Sequence, residues 1–225
     1  MTEQTLHKLK LLTKKEIAAS VVELRFEKPA DFKQLAGQFI QFQIPVGDAS
    51  ILRSYSISAP PSADFLEFCV KVVTGGKGSE YLSKLQAGDF VSASQARGLF
   101  ICKDDVSPKY FIATGVGLAP IVAMIENCGE GEVIDLLFGV RNEEDLFWQE
   151  RLEAIKLKNT KFNRHITLSR GSEGWKGLKG RVTEHLIFDK NGHYYLCGRM
   201  EMVKEVRNLL LQNGVNTKNV HFEIF

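Results

Sequence analysis

Apolar and polar residues alternate with a period of two through most of the first half of the chain. VVELRFEK sets Val22, Leu24 and Phe26 on one face. GQFIQFQIP sets Ile40, Phe42 and Ile44 opposite Gln41 and Gln43, and FLEFCVKVV alternates through Leu66, Phe68, Val70 and Val72. ILRSYSIS is also strand-like, and one short helix is expected near SEYLSKL. Period-2 segments separated by Gly, Pro and Asp clusters predict an antiparallel barrel or sandwich.

The pattern changes after Ser107-Pro108. KYFIAT reads as a buried strand, followed by a glycine-rich turn and the helical stretch APIVAMIENCG. EVIDLLFGV is a second buried strand. NEEDLFWQERLEAI is expected to be helical, with Leu146, Trp148, Leu152 and Ile155 near one face. FNRHITLS, GRVTEHLIF, HYYLCG and EMVKEVRNLLLQNG continue the alternation, and VHFEIF is the last strand. Strands alternating with helices imply a parallel sheet with right-handed crossovers. The expected organisation is therefore two domains, an antiparallel one over 1–107 and an α/β one over 108–225.

Composition narrows the function classes. The 225 residues are 44% hydrophobic and 25% charged, with a formal net charge of +2 and a pI of about 8.3. Such a balance argues against nucleic acid or an anionic membrane as partner. The N-terminal stretch has charges scattered among isolated leucines rather than a signal-peptide apolar core. No run approaches the ~20 apolar residues of a membrane span. A cytoplasmic protein without membrane insertion is the expectation. The four cysteines include no CxxC pair, and the five histidines show no zinc spacing, so no iron–sulfur cluster or metal is expected. A redox cofactor would have to be organic.

Four segments carry candidate chemistry. In T-G-V-G-L-A-P at 114–120, Gly115 and Gly117 let backbone approach a pyrophosphate, the helix N-terminus favours the anion, and Pro120 suits the first helical turn. Thr114 opens that turn. A tight strand–helix connection with no ligand would look the same. In R-S-Y-S, Arg53 could pair with phosphate and Tyr55, two residues on, shares its face. Ser56 adds a small donor and acceptor. The alternative is an exposed strand face. In G-K-G-S, Gly76, Gly78 and Ser79 open a helix and form a second anion site, or simply an N-capped turn. In Y-L-C-G-R, Cys197 and Gly198 end a buried strand, where parallel sheets bind ligands; a packed apolar cysteine is the alternative.

Taken in order, these pieces resemble the ferredoxin–NADP reductase family, from about Thr13 to Phe225. RSYS is similar to the family's RxYS flavin motif. Cys69, Val70 and Lys71 with GKGS are similar to its adenine and pyrophosphate segments, GVGLAP to its GxGxxP turn and LCG to its CG motif. The next residue is Arg199, where proline is frequent. The ending FEIF resembles the plant-type ending of glutamate, aliphatic and aromatic, with phenylalanine for tyrosine.

The resemblance implies an FAD-binding antiparallel barrel followed by a five-stranded parallel sheet that binds NAD(P). It implies that Arg53 and Ser79 hold the FAD pyrophosphate with backbone help from Gly76 and Gly78, and that Tyr55 stacks on the flavin. Ser56 would lie near flavin N5, Cys197 near nicotinamide C4, Glu223 on a proton path, and Phe225 over the other flavin face until nicotinamide displaces it. Hydride would pass from nicotinamide to flavin, which needs ring contact at ~3–3.5 Å, and electrons would leave to a separate acceptor: ferredoxin, flavodoxin or an oxygenase component. A monomer is expected. NADP(H) is expected over NAD(H), because Ser169, Arg170 and Arg181 could bind a 2′-phosphate at the sheet rim, although G-W-K-G at 174–177 resembles a segment of NADH-using relatives. A free-flavin reductase and a non-catalytic electron-transfer subunit remain as alternatives.

Overall fold

The computed structural model describes residues 6–225. Contacts divide the chain into two compact units, one comprising the chain through Ile101 with Val122–Asn127, the other Cys102–Ile121 with Cys128–Phe225.

The first unit is a six-stranded antiparallel sheet: β1 (Leu6–Ala18), β2 (Val21–Glu27), β3 (Phe39–Val46), β4 (Ala49–Ser56), β5 (Phe65–Lys71) and β6 (Phe90–Ser94), in the order β4-β3-β6-β1-β2-β5. β1 pairs with β6 over its first residues and with β2 over the rest, so it belongs to both halves of the sheet. A bridge between Ile57 and Phe68 joins the two ends of the strand order, and the sheet closes as a barrel. Closure leaves no long unpaired edge.

The predicted faces hold. Leu24, Phe26, Ile40, Phe42, Ile44, Leu66, Phe68 and Val70 are buried in one core with Leu9 and Leu11. Phe26, Phe42 and Phe68 meet at centroid separations of 5.0–5.8 Å. Glu67 is also buried. Arg25 donates to it at 2.8 Å and Ser58 Oγ at 2.9 Å, so the charge enters the interior already paired. One helix, α1 (Lys77–Lys84), follows β5 as expected and buries Leu82. β1 and β6 had no clear signature, because each puts only two apolar side chains inward: Leu9 and Leu11, and Val91 and Ala93.

The second unit is a wholly parallel sheet of β7 (Lys109–Thr114), β8 (Ile134–Val140), β9 (Phe162–Leu168), β10 (Leu178–Lys179), β11 (His193–Gly198) and β12 (Val220–Ile224). The order is β10-β9-β8-β7-β11-β12. It has six strands rather than five, because the chain returns at Leu178 to pair briefly with Thr167 and Leu168. The helices that follow its strands are α2 (Leu118–Asn127), of which Val122–Asn127 is counted with the first unit, α3 (Gln149–Lys158) and α4 (Met200–Gln212). β7 runs first and its successors spread to one side, whereas β11 and β12 lie on the other. The switch point is therefore between β7 and β11, where open α/β sheets bind ligands beyond the strand C-termini.

Two helical expectations shorten. Within NEEDLFWQERLEAI, α3 begins only at Gln149. Residues Glu143–Asp145 form a 3-10 turn, and Trp148 adopts a left-handed φ of 55° as the N-cap. Leu146 and Trp148 are thus off the helix face, and Leu152 and Ile155 are its buried residues. In GRVTEHLIF only Val182–Glu184 is helical, as a 3-10 turn, with Val182 in the core.

At the N-terminal end of β11, Asp105, His193 and His221 form a chain. His193 Nε2 lies 2.9 Å from Asp105 Oδ2, and His221 Nε2 lies 3.3 Å from His193 Nδ1. His221 also stacks on Tyr195 at 4.9 Å. Burial, then His193, pushes the His221 pKa below its ordinary value. Asp105 is also held low, its burial penalty outweighed by hydrogen bonds from Ser107 and His193.

An unfolded histidine protonates near pH ~6.5, while folded His221 resists protonation until lower pH. Its contribution to stability is therefore complete above ~6.5 and is lost as pH falls through the folded value. Urea midpoints measured from pH 7.5 to 5 should fall with acid, and less steeply in His221→Phe, which keeps the stack and removes the titration. Parallel slopes for the two proteins would exclude His221 as the source.

Candidate functional site

In the second unit the predicted dinucleotide turn sits at the switch point. β7 ends at Thr114, residues Gly115–Gly117 make a 3-10 turn, and α2 follows with Pro120 buried in its first turn. Gly115 has φ +55°, a left-handed value that glycine adopts without strain. Glycine at 117 also has a source within the fold itself. A Cβ there would stand 2.2 Å from the Cys197 carbonyl oxygen, so the position is glycine because the turn lies against the end of β11.

That approach gathers three predicted residues. Cys197 is fully buried and pairs in register with Ala113 of β7 and Glu223 of β12. A Cβ at Gly198 would stand 2.2 Å from the Thr114 hydroxyl, so the two strand ends touch there too. The Thr114 hydroxyl oxygen is buried and has no hydrogen-bond partner among the described residues. Buried polar groups are nearly always partnered, so the Thr114 hydroxyl stands out at this strand end. Burial pushes the Cys197 thiol well above its ordinary pKa, and the Glu223 carboxylate adds to the effect. Cys197 is thus a neutral, apolar thiol, suited to lining a ligand surface rather than to nucleophilic attack. β12 is the sheet edge. Phe225 follows it, its amide 3.4 Å from the Gly198 carbonyl and its residue surface 55% exposed.

The third group lies at the end of β9. Ser169 and Arg170 leave the strand with their amides bonded to the carbonyls of Val140 and Arg141. Gly180 donates to Leu168, and Thr167 Oγ1 donates to the Gly180 carbonyl, which brings Arg181 to the same strand end. Both arginines are exposed. The intervening loop is braced. Ser172 donates from Oγ and N–H to Glu143 at 2.6 and 2.9 Å, and Trp175 Nε1 donates to the Leu178 carbonyl. Those hydrogen bonds, Ser172 Oγ first, hold the Glu143 carboxyl below its usual pKa. Sequence reasoning missed Glu143, because N-E-E-D looked like the start of a helix and its partner is remote in sequence.

In the first unit, β4 and the start of α1 come together. A Cβ at Gly78 would stand 2.9 Å from both Arg53 Cγ and the Tyr55 hydroxyl. Only glycine allows the turn to lie on those side chains. Tyr55 is partly buried against Phe42, with centroids 5.8 Å apart. Burial raises its pKa, although Arg53 opposes the shift. Arg53 is exposed, its Nη1 on the Leu52 carbonyl. Ser56 ends β4.

Ser79 is buried and works within the loop. Its hydroxyl accepts from the Val73 amide at 3.1 Å and donates to the Gly76 carbonyl at 3.2 Å. No side chain caps the α1 N-terminus at Gly76, so first-turn amides remain for an anion. On β5, Val70 points into the barrel core and offers a ligand only backbone, with Cys69 and Lys71 on the other face. Lys71 Nζ donates to the Ala19 carbonyl at 2.6 Å.

A helix-capped anion cradle on a barrel and a glycine turn at the switch point of a parallel sheet define a flavin- and nicotinamide-dependent oxidoreductase. The comparisons agree. Residues 8–101 match the oxidoreductase FAD-binding domain model, and residues 111–208 match the oxidoreductase NAD-binding domain model. Ferredoxin–NADP reductase B of Sorangium cellulosum (strain So ce56) is 35% identical over 234 aligned positions, covering 95% of both chains.

The anthranilate 1,2-dioxygenase electron transfer component of Acinetobacter baylyi is 31% identical over 88% of this chain, which spans 59% of that protein. The ferredoxin NADP+ reductase of Neisseria gonorrhoeae, solved with bound FAD and NADP, shares the fold over 99% of both chains (TM-score 0.85, 23% identity). The chain belongs to the ferredoxin–NADP reductase family and is an FAD-dependent oxidoreductase that moves electrons between NAD(P)H and an acceptor. Among the described residues no helix is long and apolar enough to cross a membrane, and no cluster of three metal-ligating side chains occurs.

Gly117→Ala should force the turn off β11. Its thermal midpoint should fall by an amount matching roughly 2–4 kcal/mol, with weakened NADP+ binding in calorimetry. A variant with wild-type midpoint and affinity would show that the 2.2 Å approach relaxes freely.

Proposed function

We propose that the chain is an NADPH-dependent reductase that retains FAD and serves a docked one-electron acceptor, a ferredoxin or an oxygenase component. The observation that carries this reading is the end-to-end correspondence with a ferredoxin–NADP reductase, 95% of each chain. The geometry supports it. Arg53, the amides of Gly78 and Ser79, and the Cys69 and Lys71 face would hold the FAD pyrophosphate and adenosine, with Tyr55 packed along the ring; the Gly76 amide is already bonded to the Val73 carbonyl at 2.8 Å, so Gly76 would shape the loop. The glycine-tight contact of residue 78 with Arg53 and Tyr55 is the cradle such a group needs.

Bound FAD supplies the chemistry that couples two-electron exchange with NADPH to one-electron exchange with the acceptor. The protein positions. The open Thr114 hydroxyl would bond the nicotinamide carboxamide, and the neutral Cys197 would line the ring's reacting edge. Glu223, in register beside Cys197, would hold a proton, and Ser56 would bond the flavin edge. The half-exposed Phe225 ring would stack on the flavin until nicotinamide takes its place, an exchange on the scale of ~0.5–1.5 kcal/mol. Ser169, Arg170 and Arg181 would grip the 2′-phosphate. The chain would act as a cytoplasmic monomer that meets its acceptor by diffusion.

Purified protein should be yellow, with close to one FAD per chain, and stopped-flow reduction by NADPH should outpace reduction by NADH. Reoxidation by ferredoxin or an oxygenase ferredoxin component should complete turnover. A colourless chain that instead reduces added flavin would make it a free-flavin reductase.

Arg53→Ala should weaken FAD binding by roughly 10- to 100-fold, the loss of a charge-assisted phosphate contact of about 1.5–3 kcal/mol. Unchanged flavin content after gel filtration would place Arg53 outside the site. Arg170→Ala with Arg181→Ala should raise the NADPH KM at least tenfold and leave that for NADH nearly untouched. Equal losses with both nucleotides would show that these side chains do not read the 2′-phosphate.

A further inference from the structure

The run R-S-Y-S is pinned at both ends by one neighbouring segment. At its start, Gly78 of α1 lies so close to Arg53 and Tyr55 that a Cβ would stand 2.9 Å from each side chain. Just past its other end, Ser58 meets Glu67 of β5, the strand that leads into α1. The Ser58 amide donates to the Glu67 carbonyl at 2.8 Å, and the Ser58 hydroxyl donates to Glu67 Oε1 at 2.9 Å. Ile57 bridges to Phe68 beside them. β4 and β5 stand at opposite ends of the strand order, so these contacts close the seam of the barrel where β4 stops.

Glu67 is itself held. It lies directly opposite Arg25 on β2, whose Nε donates to Glu67 Oε2 at 2.8 Å. Arg25 in turn sits over the Phe65 ring at 4.8 Å and reaches Glu23 at 3.3 Å. Ser58 is fully buried and Glu67 is 1% exposed. Burying a carboxylate is costly, and apolar side chains of similar volume would close a seam at least as well. What the carboxylate adds is direction. One oxygen is fixed by Arg25, and the other then fixes the Ser58 hydroxyl. Ser58 is two residues beyond Ser56, so on an extended run the two share a face.

We propose that Glu67 is a positioning residue for the flavin strand: through Ser58 it sets where Ser56 stands against the flavin edge, and so the rate of hydride exchange, without itself touching the cofactor. This role rests on the reading of residues 53–56 as the flavin strand. Hydride transfer is sensitive to such placement, a shift of about 1 Å costing on the order of 10²-fold in rate. Ser58→Ala and Glu67→Gln break the same link. The first removes the hydroxyl and leaves Glu67 with Arg25. The second keeps the volume, but an amide has one acceptor oxygen and cannot meet Arg25 and Ser58 on separate oxygens.

The test uses the purified, FAD-loaded chain with Ser58→Ala, Glu67→Gln and the double variant. Stopped-flow reduction by NADPH gives the limiting rate and the half-saturating concentration. Visible circular dichroism of the bound flavin reports its surroundings before any reaction. In both single variants the limiting rate should fall roughly 10- to 100-fold, while the half-saturating NADPH concentration stays within about twofold. The flavin dichroism should change in both. The double variant should match the singles, because both changes break one link. The proposal is overturned if the limiting rate and the flavin dichroism of both singles are those of the wild type, whatever their thermal midpoints, since a purely stabilising Glu67 would give that result. It is equally overturned if the two losses multiply in the double variant, since Glu67 then acts by a route other than Ser58. Should Glu67→Gln not fold, Ser58→Ala decides on the same two readouts. A wild-type chain that binds no FAD would sink the flavin reading together with this role, and flavin content of the wild type tells that outcome apart.

Discussion

Between the turn after β7 and the end of β11 there is no room for a side chain, since a Cβ at residue 117 would stand 2.2 Å from the Cys197 carbonyl oxygen. The dinucleotide site follows from that approach. With the turn seated on β11, the 3-10 turn and the start of α2 that continues from it lie at the switch point. The same contact puts Gly198 against the Thr114 hydroxyl, which is left buried and without a protein partner. It also brings Cys197, and Glu223 in register beside it, to the rim. A glycine that sequence motifs associate with phosphate therefore serves first to bring two backbones together.

The barrel reaches its ligand surface by a similar device. Gly78 lets the start of α1 rest on Arg53 and Tyr55 of β4, while Ser79, bonded to Val73 and Gly76, keeps the preceding loop in shape. The inner face of the barrel is apolar, and Glu67, buried on the opposite face of β5, has its carboxylate met by Arg25 and Ser58. Such a core holds the strands rigid, and a rigid scaffold is what an anion cradle made of loop amides requires.

The cysteines show how environment assigns chemistry to one side chain. Cys197 is dry, and the Glu223 carboxylate acts on it as well, so its thiol stays protonated and behaves as an apolar surface. Cys102 and Cys128 are free and partly exposed to solvent. Position in the chain distinguishes none of this. In sequence, each is a lone cysteine with no second cysteine nearby.

What was legible in the sequence was whatever rests on neighbours along the chain. Period-2 alternation located β2, β3 and β5 and their inward residues, because a strand's two faces are set by its own geometry. The four motifs, in order, identified both cofactor halves and the family. β1 escaped because most of its residues face solvent or a neighbouring strand, and its pairing with both β6 and β2 is a tertiary fact. The helix expected from Asn142 onward began late, at Gln149, because Glu143 is drawn to Ser172 and Trp148 turns left-handed. Arg170 with Arg181, and Cys197 with Glu223, were grouped from the motifs and the family resemblance; no local pattern gives the pairing of β11 with β12 or the return of Gly180 to β9. Each joins segments apart in sequence, and only the folding of the sheet decides which strand ends become neighbours.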